Sequence, residues 1–257
     1  MLLDKLETMK NNKILRTFFP ELDISGYTSI DGTVEFYSRI NSILDSSMTV
    51  LDYGAGRGAW FEDDVCAYRK SLRQMKGKVK EVIGCDIDSV VLENRSVDRS
   101  MLIGSNGCLP IEDASIDLII CDWAFEHIAE PAEVAKEFRR VLKVNGWICA
   151  RTPNKYSYVS LLTRLIKNSL HVKLLRFAQP GRKEIDVFPT TFKLNSFRDI
   201  NNWFDPTVFF SHTYRHESEP AYFFNNKIVF LIMLLLNKLG PHSMKANLYI
   251  FLRKKPL

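Results

Sequence analysis

Two acidic residues and three glycines have the types and spacing of a ligand-binding turn. Asp52 stands two residues before the pattern Gly54-x-Gly56-x-Gly58, and Asp86 ends a later apolar segment. Glycine reaches positive φ and has no Cβ, so a ligand can come close to the backbone. A carboxylate at the tip of a strand can accept hydrogen bonds from both hydroxyls of a ribose. The combination therefore predicts a nucleoside-binding site.

Two strands and a helix must position these residues. The apolar run from Met48 to Leu51 predicts a buried first strand, and 80–88 predicts a second strand that ends in acid. Helical spacing predicts a helix from Trp60 to about Met75, which directs free N–H groups and a positive dipole end at the turn. Asp88 is predicted to cap the next helix. The alternative is a glycine turn that only packs a helix against a strand.

The glycine spacing resembles motif I of the class I S-adenosylmethionine-dependent methyltransferases of the type 11 kind. A dinucleotide fingerprint reads Gly-x-Gly-x-x-Gly, whereas this chain has glycines at every second position after an acid. Further pieces follow in the family's order: Leu109-Pro110, the segment 123–128, and Leu-Lys-x-x-Gly at 142–146. The similarity covers about residues 48–153, and its ordered pieces are together more specific than any one of them.

The resemblance implies S-adenosyl-L-methionine as the cofactor and assigns residues to its parts. Asp52 and the glycine turn hold the methionine end, Asp86 holds the ribose, and Ile87 lies on the adenine face. Ser105 stands where the family has an acid that contacts adenine, and Asn106 is an alternative partner for the adenine amino group. The implied cofactor-binding residues are Asp52, Tyr53, Gly54, Ala55, Gly56, Gly58, Asp86, Ile87, Ser105, Asn106, Gly107 and Cys121.

The candidate catalytic residues follow the predicted fourth strand. Asp122, Glu126 and His127 lie where that strand ends, close to the methyl-transfer point that the resemblance implies. A hydroxyl nucleophile must lose its proton, and each of these side chains can act as a general base. A structural role is the alternative for each of them. No metal site is expected, because His212 and His216 have no third ligand nearby.

The resemblance also implies the fold. We expect an α/β, Rossmann-like, doubly wound and mostly parallel seven-stranded sheet, with an antiparallel last strand and a helical cap or insertion. Residues 1–45 are predicted to form the N-terminal helical cap and residues 46–257 the methyltransferase domain. A substrate-facing insertion is predicted at about 154–206.

Amino-acid composition limits the classes of protein to which this chain can belong. The chain has 257 residues, 46% of them hydrophobic and 25% charged, which is ordinary for a globular protein. Five scattered cysteines without a Cys-x-x-Cys pair disfavour a zinc site or a disulfide framework and favour a reducing cytoplasm. No secretory signal is recognised at the N-terminus. The apolar run 228–236 is too short to span a membrane, so a buried helix is predicted, with contact at a membrane surface as the alternative.

The partners predicted from sequence are small molecules. From Phe138 through Lys183 the chain has eleven Lys and Arg but no Asp or Glu, which suits an anionic substrate, an anionic membrane surface or simply a solvated face. No basic and aromatic stacking strip is recognised, which disfavours nucleic acid. The predicted function is methyl transfer to a small-molecule acceptor, such as a glycan or a lipid-linked metabolite. The alternatives are a catalytically silent binding protein of the same fold and an NAD-dependent oxidoreductase.

Overall fold

The computed structural model describes residues 13–104, 107–158, 160–161, 189–220 and 223–256. The chain divides into two compact units. We call residues 33–153, 190–214 and 248–257 the sheet unit, and residues 1–32, 154–189 and 215–247 the helical unit. The glycine turn, Asp86 and all three candidate catalytic residues belong to the sheet unit.

A twisted sheet with helical connections forms the sheet unit. Its strands in chain order are β1 (Thr49–Tyr53), β2 (Glu81–Asp86), β3 (Arg99–Leu102), β4 (Ile116–Asp122), β5 (Leu142–Pro153), β6 (Phe209–Ser211), β7 (Tyr214–His216) and β8 (Asn247–Lys254). Seven of them follow the order β3-β2-β1-β4-β5-β8-β6. Strands β1 to β5 pair in parallel, and β6 is antiparallel to β8. The strand order reverses at β1, which has β2 on one side and β4 on the other. The crevice expected of a doubly wound sheet therefore lies at the carboxyl ends of these strands.

The predicted fold class is confirmed, with one change in the strands. Seven strands were predicted, whereas the described residues form eight, because 209–216 contains two short strands, β6 and β7. The last strand, β8, lies between β5 and β6 and is antiparallel to β6, in line with the antiparallel last strand that the resemblance implies.

The helices that connect the strands are short. They are α1 (Leu22–Ser25), α2 (Gly32–Asn41), α3 (Ala59–Asp63), α4 (Ala67–Arg73), α5 (Pro131–Val141), α6 (Phe197–Trp203) and α7 (Lys227–Leu239), with 3₁₀ turns at Ser89–Glu93, Phe125–His127 and His242–Met244. The single helix predicted from Trp60 to Met75 is wrong, because the chain is extended at Asp64 between α3 and α4. The Asp64 carboxylate accepts hydrogen bonds from Cys66 N at 2.9 Å and from Arg69. Such local side-chain bonds compete with helix continuation.

Each face of the sheet carries its own apolar core. Leu51 of β1 belongs to one cluster with Val134 and Phe138 of α5, whereas the adjacent Val50 belongs to a second cluster with Phe36 of α2. Alternate residues of a strand point to opposite faces, so a single strand supplies both cores. Packing on both faces fixes the positions of the strand tips, where the site residues lie.

Helix α7 anchors the core of the helical unit. Phe230 and Met233 are buried with Phe223, and the Phe230 ring centroid lies 5.0 Å from that of Phe18. The Asn226 side chain accepts hydrogen bonds from the N–H groups of residues 228 and 229, which caps the helix. The prediction that 228–236 is buried holds for one face of the helix only, because the opposite face is exposed. Within the described residues, no helix is both long and apolar enough to cross a bilayer.

Candidate active site

The three glycines of the turn all adopt positive φ, but for different steric reasons. Their φ values are +77° at Gly54, +50° at Gly56 and +65° at Gly58. A Cβ on Gly54 would lie 2.8 Å from the Cβ of Ala124, and a Cβ on Gly58 would collide with the Asn94 side chain. At Gly56 nothing lies within 4 Å of that position. Gly54 and Gly58 therefore serve packing, whereas Gly56 keeps the turn open to a ligand.

Hydrogen bonds hold the turn in place. The N–H groups of Gly54 and Ala55 donate to the carbonyl of Cys85 at 2.8 and 3.1 Å. The Asn94 side-chain amide donates to the carbonyls of Ala55 at 3.2 Å and Gly56 at 3.1 Å. The turn is thus tied both to the end of β2 and to the segment that follows it, which pre-organises its backbone.

Asp86 lies against the glycine turn. Its Oδ2 accepts the N–H of Gly56 at 2.9 Å, and its Oδ1 accepts the N–H of Asp88 at 3.0 Å. A carboxylate has about four lone-pair sites, so each oxygen can accept a further bond from a ribose hydroxyl. The side chain of the next residue, Ile87, is 74% exposed beside it. The predicted cap is confirmed, since Asp88 accepts the N–H of Val90 at 3.0 Å.

Asp52 is an acid with no hydrogen-bonded partner for its carboxylate among the described residues. Its carboxylate accepts no hydrogen bond from the described part of the chain, and it lines a cavity of about 20 Å³ together with Tyr37, Trp60 and Arg73. Burial raises the pKa of Asp52 to about 7, and the charge of Asp122 adds to the increase, while Arg73 opposes it. A carboxylate in this condition is suited to accept a cationic group of a ligand.

Asp122 is enclosed by donors. Its oxygens accept bonds from the Arg151 guanidinium, from Tyr37 Oη at 3.0 Å and from Arg73 Nη2 at 3.4 Å. Burial alone would raise the pKa of Asp122, but the two guanidinium groups outweigh it and the pKa lies below its ordinary value. Arg151 is buried and also donates to Thr33 Oγ1 at 3.0 Å. Asp122 therefore remains an ion-paired carboxylate, which is unsuited to proton abstraction.

Trp123 follows Asp122 at the tip of β4 in an unusual backbone conformation. Its φ is +60°, which is a strained value for a bulky residue. The strain is held by a hydrogen bond from Trp123 N to the Arg151 carbonyl at 3.1 Å and by the Arg151 guanidinium, 5.1 Å from the indole centroid. The indole is 39% exposed, so it offers an aromatic surface next to the strand tips.

Glu126 and His127 differ in accessibility. Glu126 is buried, its Oε2 accepts Thr152 Oγ1 at 2.9 Å, and its carbonyl accepts Thr191 N at 2.7 Å. Asn195 Nδ2 in turn donates to Thr152 Oγ1 at 2.7 Å. The His127 side chain is 23% exposed, and its Nε2 lies 4.0 Å from Glu126 Oε1. Of these two predicted residues, His127 is the one that a substrate can reach.

The remaining predicted residues pack in the core or make backbone contacts, as far as the structure describes them. Cys121 is fully buried in the core, and burial raises its pKa, so it can meet a ligand only through its backbone. The ring of Tyr53 packs on Phe138 with centroids 5.0 Å apart. Gly107 N donates to the Gly104 carbonyl at 2.8 Å. Ser105 and Asn106 lie outside the described residues. Among the residues that are described, no group of three or more His, Cys, Asp or Glu could hold a metal ion.

Four residues of the site were not among the predicted ones: Tyr37, Arg73, Trp123 and Arg151. One sequence signal existed, because Arg151 directly follows the apolar residues 148–150 of a buried strand, and a charge there needs a buried partner. Arg73 lies in a helix with ordinary surface patterning, so the sequence does not distinguish it from a solvated residue. Its contacts with Asp122 depend on the folded sheet.

Comparison with known proteins identifies the domain. Residues 51–150 match a family described as "Methyltransferase domain". An uncharacterized methyltransferase of Schizosaccharomyces pombe is 31% identical over 106 residues, covering 40% of this chain and 38% of that protein. Malonyl-[acyl-carrier protein] O-methyltransferase 1 of Coxiella burnetii is 26% identical over 114 residues, covering 44% and 36%. The matches thus span less than two fifths of the length of these two relatives.

A solved structure shows the same fold. A chain of the complex between the Haloferax volcanii Trm112 methyltransferase activator and a methyltransferase aligns over 96% of both chains, with a TM-score of 0.54 at 14% identity. The fold of the described residues is a Rossmann-like α/β domain. Residues 51–150 are thus similar to the methyltransferase domain, in agreement with the resemblance of the turn to class I S-adenosylmethionine-dependent methyltransferases, whose cofactor is S-adenosyl-L-methionine.

Proposed function

We propose that this protein transfers a methyl group from S-adenosylmethionine to a small-molecule acceptor. The observation that carries the proposal is the 2.9 Å hydrogen bond from Gly56 N to Asp86 Oδ2, at the point where the sheet reverses its order. This bond joins a turn that is open to a ligand to a carboxylate that can accept hydrogen bonds from a ribose. Both lie in the part of the chain that matches methyltransferase domains.

The residues present fit this cofactor. The Asp52 carboxylate, which accepts no hydrogen bond within the described chain, suits the ammonium group of the methionine part. The open position at Gly56 lets the backbone approach that part closely. Asp86 keeps acceptor capacity for the ribose hydroxyls, and the exposed Ile87 suits an apolar adenine face. When bound, the cofactor supplies an electrophilic methyl group on a positively charged sulfur.

The chain's own residues contribute alignment and proton transfer. Holding an acceptor and a reactive group in near-attack geometry lowers a barrier by several kcal/mol without further chemistry. We assign Asp122 a positioning role, because it fixes Arg151, which in turn holds Trp123 at the strand tip. For a hydroxyl acceptor, His127 is the proton acceptor of this proposal, since its ring is partly exposed. The buried Glu126 holds Thr152 and stands next to that ring.

We propose a glycan or a lipid-linked metabolite as the acceptor. Two observations support this class. The basic segment from Phe138 through Lys183 suits an anionic group such as a phosphate. The exposed aliphatic side chains of helix α7 suit a protein that meets lipid, which agrees with a lipid-linked acceptor.

Calorimetric titration of the full chain with S-adenosylmethionine tests the cofactor assignment. Asp86→Asn keeps the size of the side chain but removes its charge, and we expect at least a tenfold loss of affinity because two charge-assisted acceptors are lost. Asp98→Asn is the matched control, since the Asp98 carboxylate accepts Val82 N at 2.9 Å near the opposite end of β2. Equal affinity in the two variants would remove Asp86 from the ribose role.

Incubation with methyl-labelled cofactor and a metabolite extract tests the reaction. A labelled product that fractionates with glycans or lipids supports the acceptor class, and a labelled product elsewhere supports transfer but rejects that class. Cofactor binding without any labelled product supports the silent-protein alternative. Retention of a nicotinamide cofactor on purification, with no heat of binding for S-adenosylmethionine, supports the oxidoreductase alternative.

A further inference from the structure

Helix α7 has two apolar faces, and only one of them is used by the protein's own core. The helix has 13 residues and is about 20 Å long. Phe230 and Met233 are buried on one face. The other face carries six large aliphatic side chains that are between 44% and 78% exposed: Ile228, Leu231, Ile232, Leu235, Leu236 and Leu239. We call these six residues the α7 stripe.

The α7 stripe has the geometry of a surface-binding helix. At about 100° per residue, its six members fall within roughly 140° of the circumference, a continuous apolar band. By the same count, Lys227 and Lys238 fall together along one edge of this band, although they stand at opposite ends of the helix. Lysine side chains at the edge of an apolar surface can lay their methylene stems along it and keep the ammonium groups in a polar layer.

The charge of the helical unit complements an anionic surface. Within its segment 227–247 the chain has three lysines and no Asp or Glu, and the sequence of the whole unit has 15 Lys and Arg against nine Asp and Glu. The acids of the unit nearest in sequence to α7 are engaged, since Glu217 accepts Ala246 N at 3.1 Å and Glu219 accepts the Thr28 hydroxyl. Each basic residue near an anionic bilayer adds about 1 kcal/mol of attraction.

We propose that the α7 stripe docks on the surface of a bilayer that contains anionic phospholipid. The helix lies in the interfacial plane, its aliphatic side chains enter the boundary between headgroups and acyl chains, and Lys227 and Lys238 contact lipid phosphates. With 13 residues the helix cannot span a bilayer, which needs about 20. A second copy fits the stripe less well, because an antiparallel pair of these helices would bring lysine edges together without an intervening acid. The docking does not depend on methyl transfer.

Sedimentation of the full chain with lipid vesicles tests the proposal. We expect at least tenfold stronger partitioning to vesicles of phosphatidylglycerol mixed with phosphatidylcholine than to phosphatidylcholine alone, and a loss of that preference at high salt. Leu231→Ser with Leu235→Ser should weaken partitioning at least tenfold. Lys227→Gln and Lys238→Gln should each weaken it about fivefold.

Two exposed apolar residues outside the α7 stripe provide a stringent control. Ile24 and Val65 are 90% and 96% exposed, against 44% for Leu231 and 47% for Leu235, so Ile24→Ser with Val65→Ser removes more exposed apolar area elsewhere. That variant should partition like the wild type. Exposed positions tolerate such changes within about 0.5 kcal/mol, so both double variants should keep the wild-type Tm.

Three outcomes would overturn the proposal. The first is no preference of the wild type for anionic vesicles. The second is equal partitioning of the stripe variant and the control variant. The third is a wild-type dimer in solution that the stripe variant converts to a monomer, since the stripe would then be an interface between two copies of this chain.

Discussion

Replacing single glycines by alanine separates the packing role of the turn from its binding role. Gly56→Ala adds a methyl group that meets no atom within 4 Å, at a φ of +50°. Gly77→Ala is an unusually close control, because its φ is +83° and its Cβ position is equally open, yet it lies outside the turn. The two variants therefore carry a similar backbone penalty and differ in what the new methyl group faces.

The magnitudes follow from this geometry. Positive φ costs an alanine about 1–2 kcal/mol, and 1 kcal/mol lowers Tm by about 2–4 °C in a chain of this size. Gly56→Ala and Gly77→Ala should thus lose a similar few degrees. Gly54→Ala must also displace Ala124 Cβ from 2.8 Å, so we expect a further loss of about 1–3 kcal/mol from overpacking.

Thermal unfolding and calorimetric titration with S-adenosylmethionine are measured on the same samples. Gly56→Ala should bind at least tenfold more weakly than the wild type, whereas Gly77→Ala should bind normally, although both have the same Tm. If Gly56→Ala keeps full affinity, the open position at Gly56 does not face the cofactor. If it unfolds far below Gly77→Ala, the interpretation of Gly56 as a residue without a packing role is wrong.

Three further predictions concern the acids and their partners. Burial raises the pKa of Asp52 to about 7, so the folded state binds more protons than the unfolded state between about pH 4 and 7. The free energy of unfolding should therefore fall as pH rises through that window. If Tm of the Asp52→Asn variant falls with pH as steeply as Tm of the wild type, Asp52 is not the cause. Arg151→Met should cost about 3–5 kcal/mol in chemical denaturation, because it leaves Asp122 buried with fewer cations, and adding Asp122→Asn should recover part of the loss. His127→Ala should lower kcat about 10²–10⁴-fold for a hydroxyl acceptor with an unchanged cofactor Kd; an unchanged kcat would exclude His127 as the base.

The parts of the fold and site that depend on local patterns were predictable from sequence. The glycine turn, the acid at the end of β2 and the Asp88 cap are each encoded within a few residues, so spacing alone identifies them. The mostly parallel sheet with an antiparallel last strand followed from the family resemblance. The break between α3 and α4 was not predictable from apolar spacing, because it depends on the hydrogen bonds of the Asp64 carboxylate.

Features that depend on distant contacts were not predictable. Arg73 and Arg151 meet Asp122 only after three elements of the sheet unit have packed, and periodicity contains no signal for such an encounter. Helix α7 shows a second feature that the sequence pattern did not predict, namely which of its faces is exposed. An apolar run without polar interruptions predicts burial, but it does not distinguish a helix buried all round from one that turns half of its circumference outward.

The Asn94 side chain has a consequence for how this protein can change its specificity. Its Nδ2 donates to two carbonyls of the glycine turn, and its Oδ1 accepts Ser96 N at 2.9 Å and Ser96 Oγ at 2.6 Å. The crossover from β2 to β3 therefore holds the glycine turn in its conformation. Replacing the segments that follow β4 and β5 leaves these hydrogen bonds intact, so changes in those segments can alter the choice of acceptor without disturbing the turn. Exchanging the β2–β3 crossover would disturb the nucleoside end first.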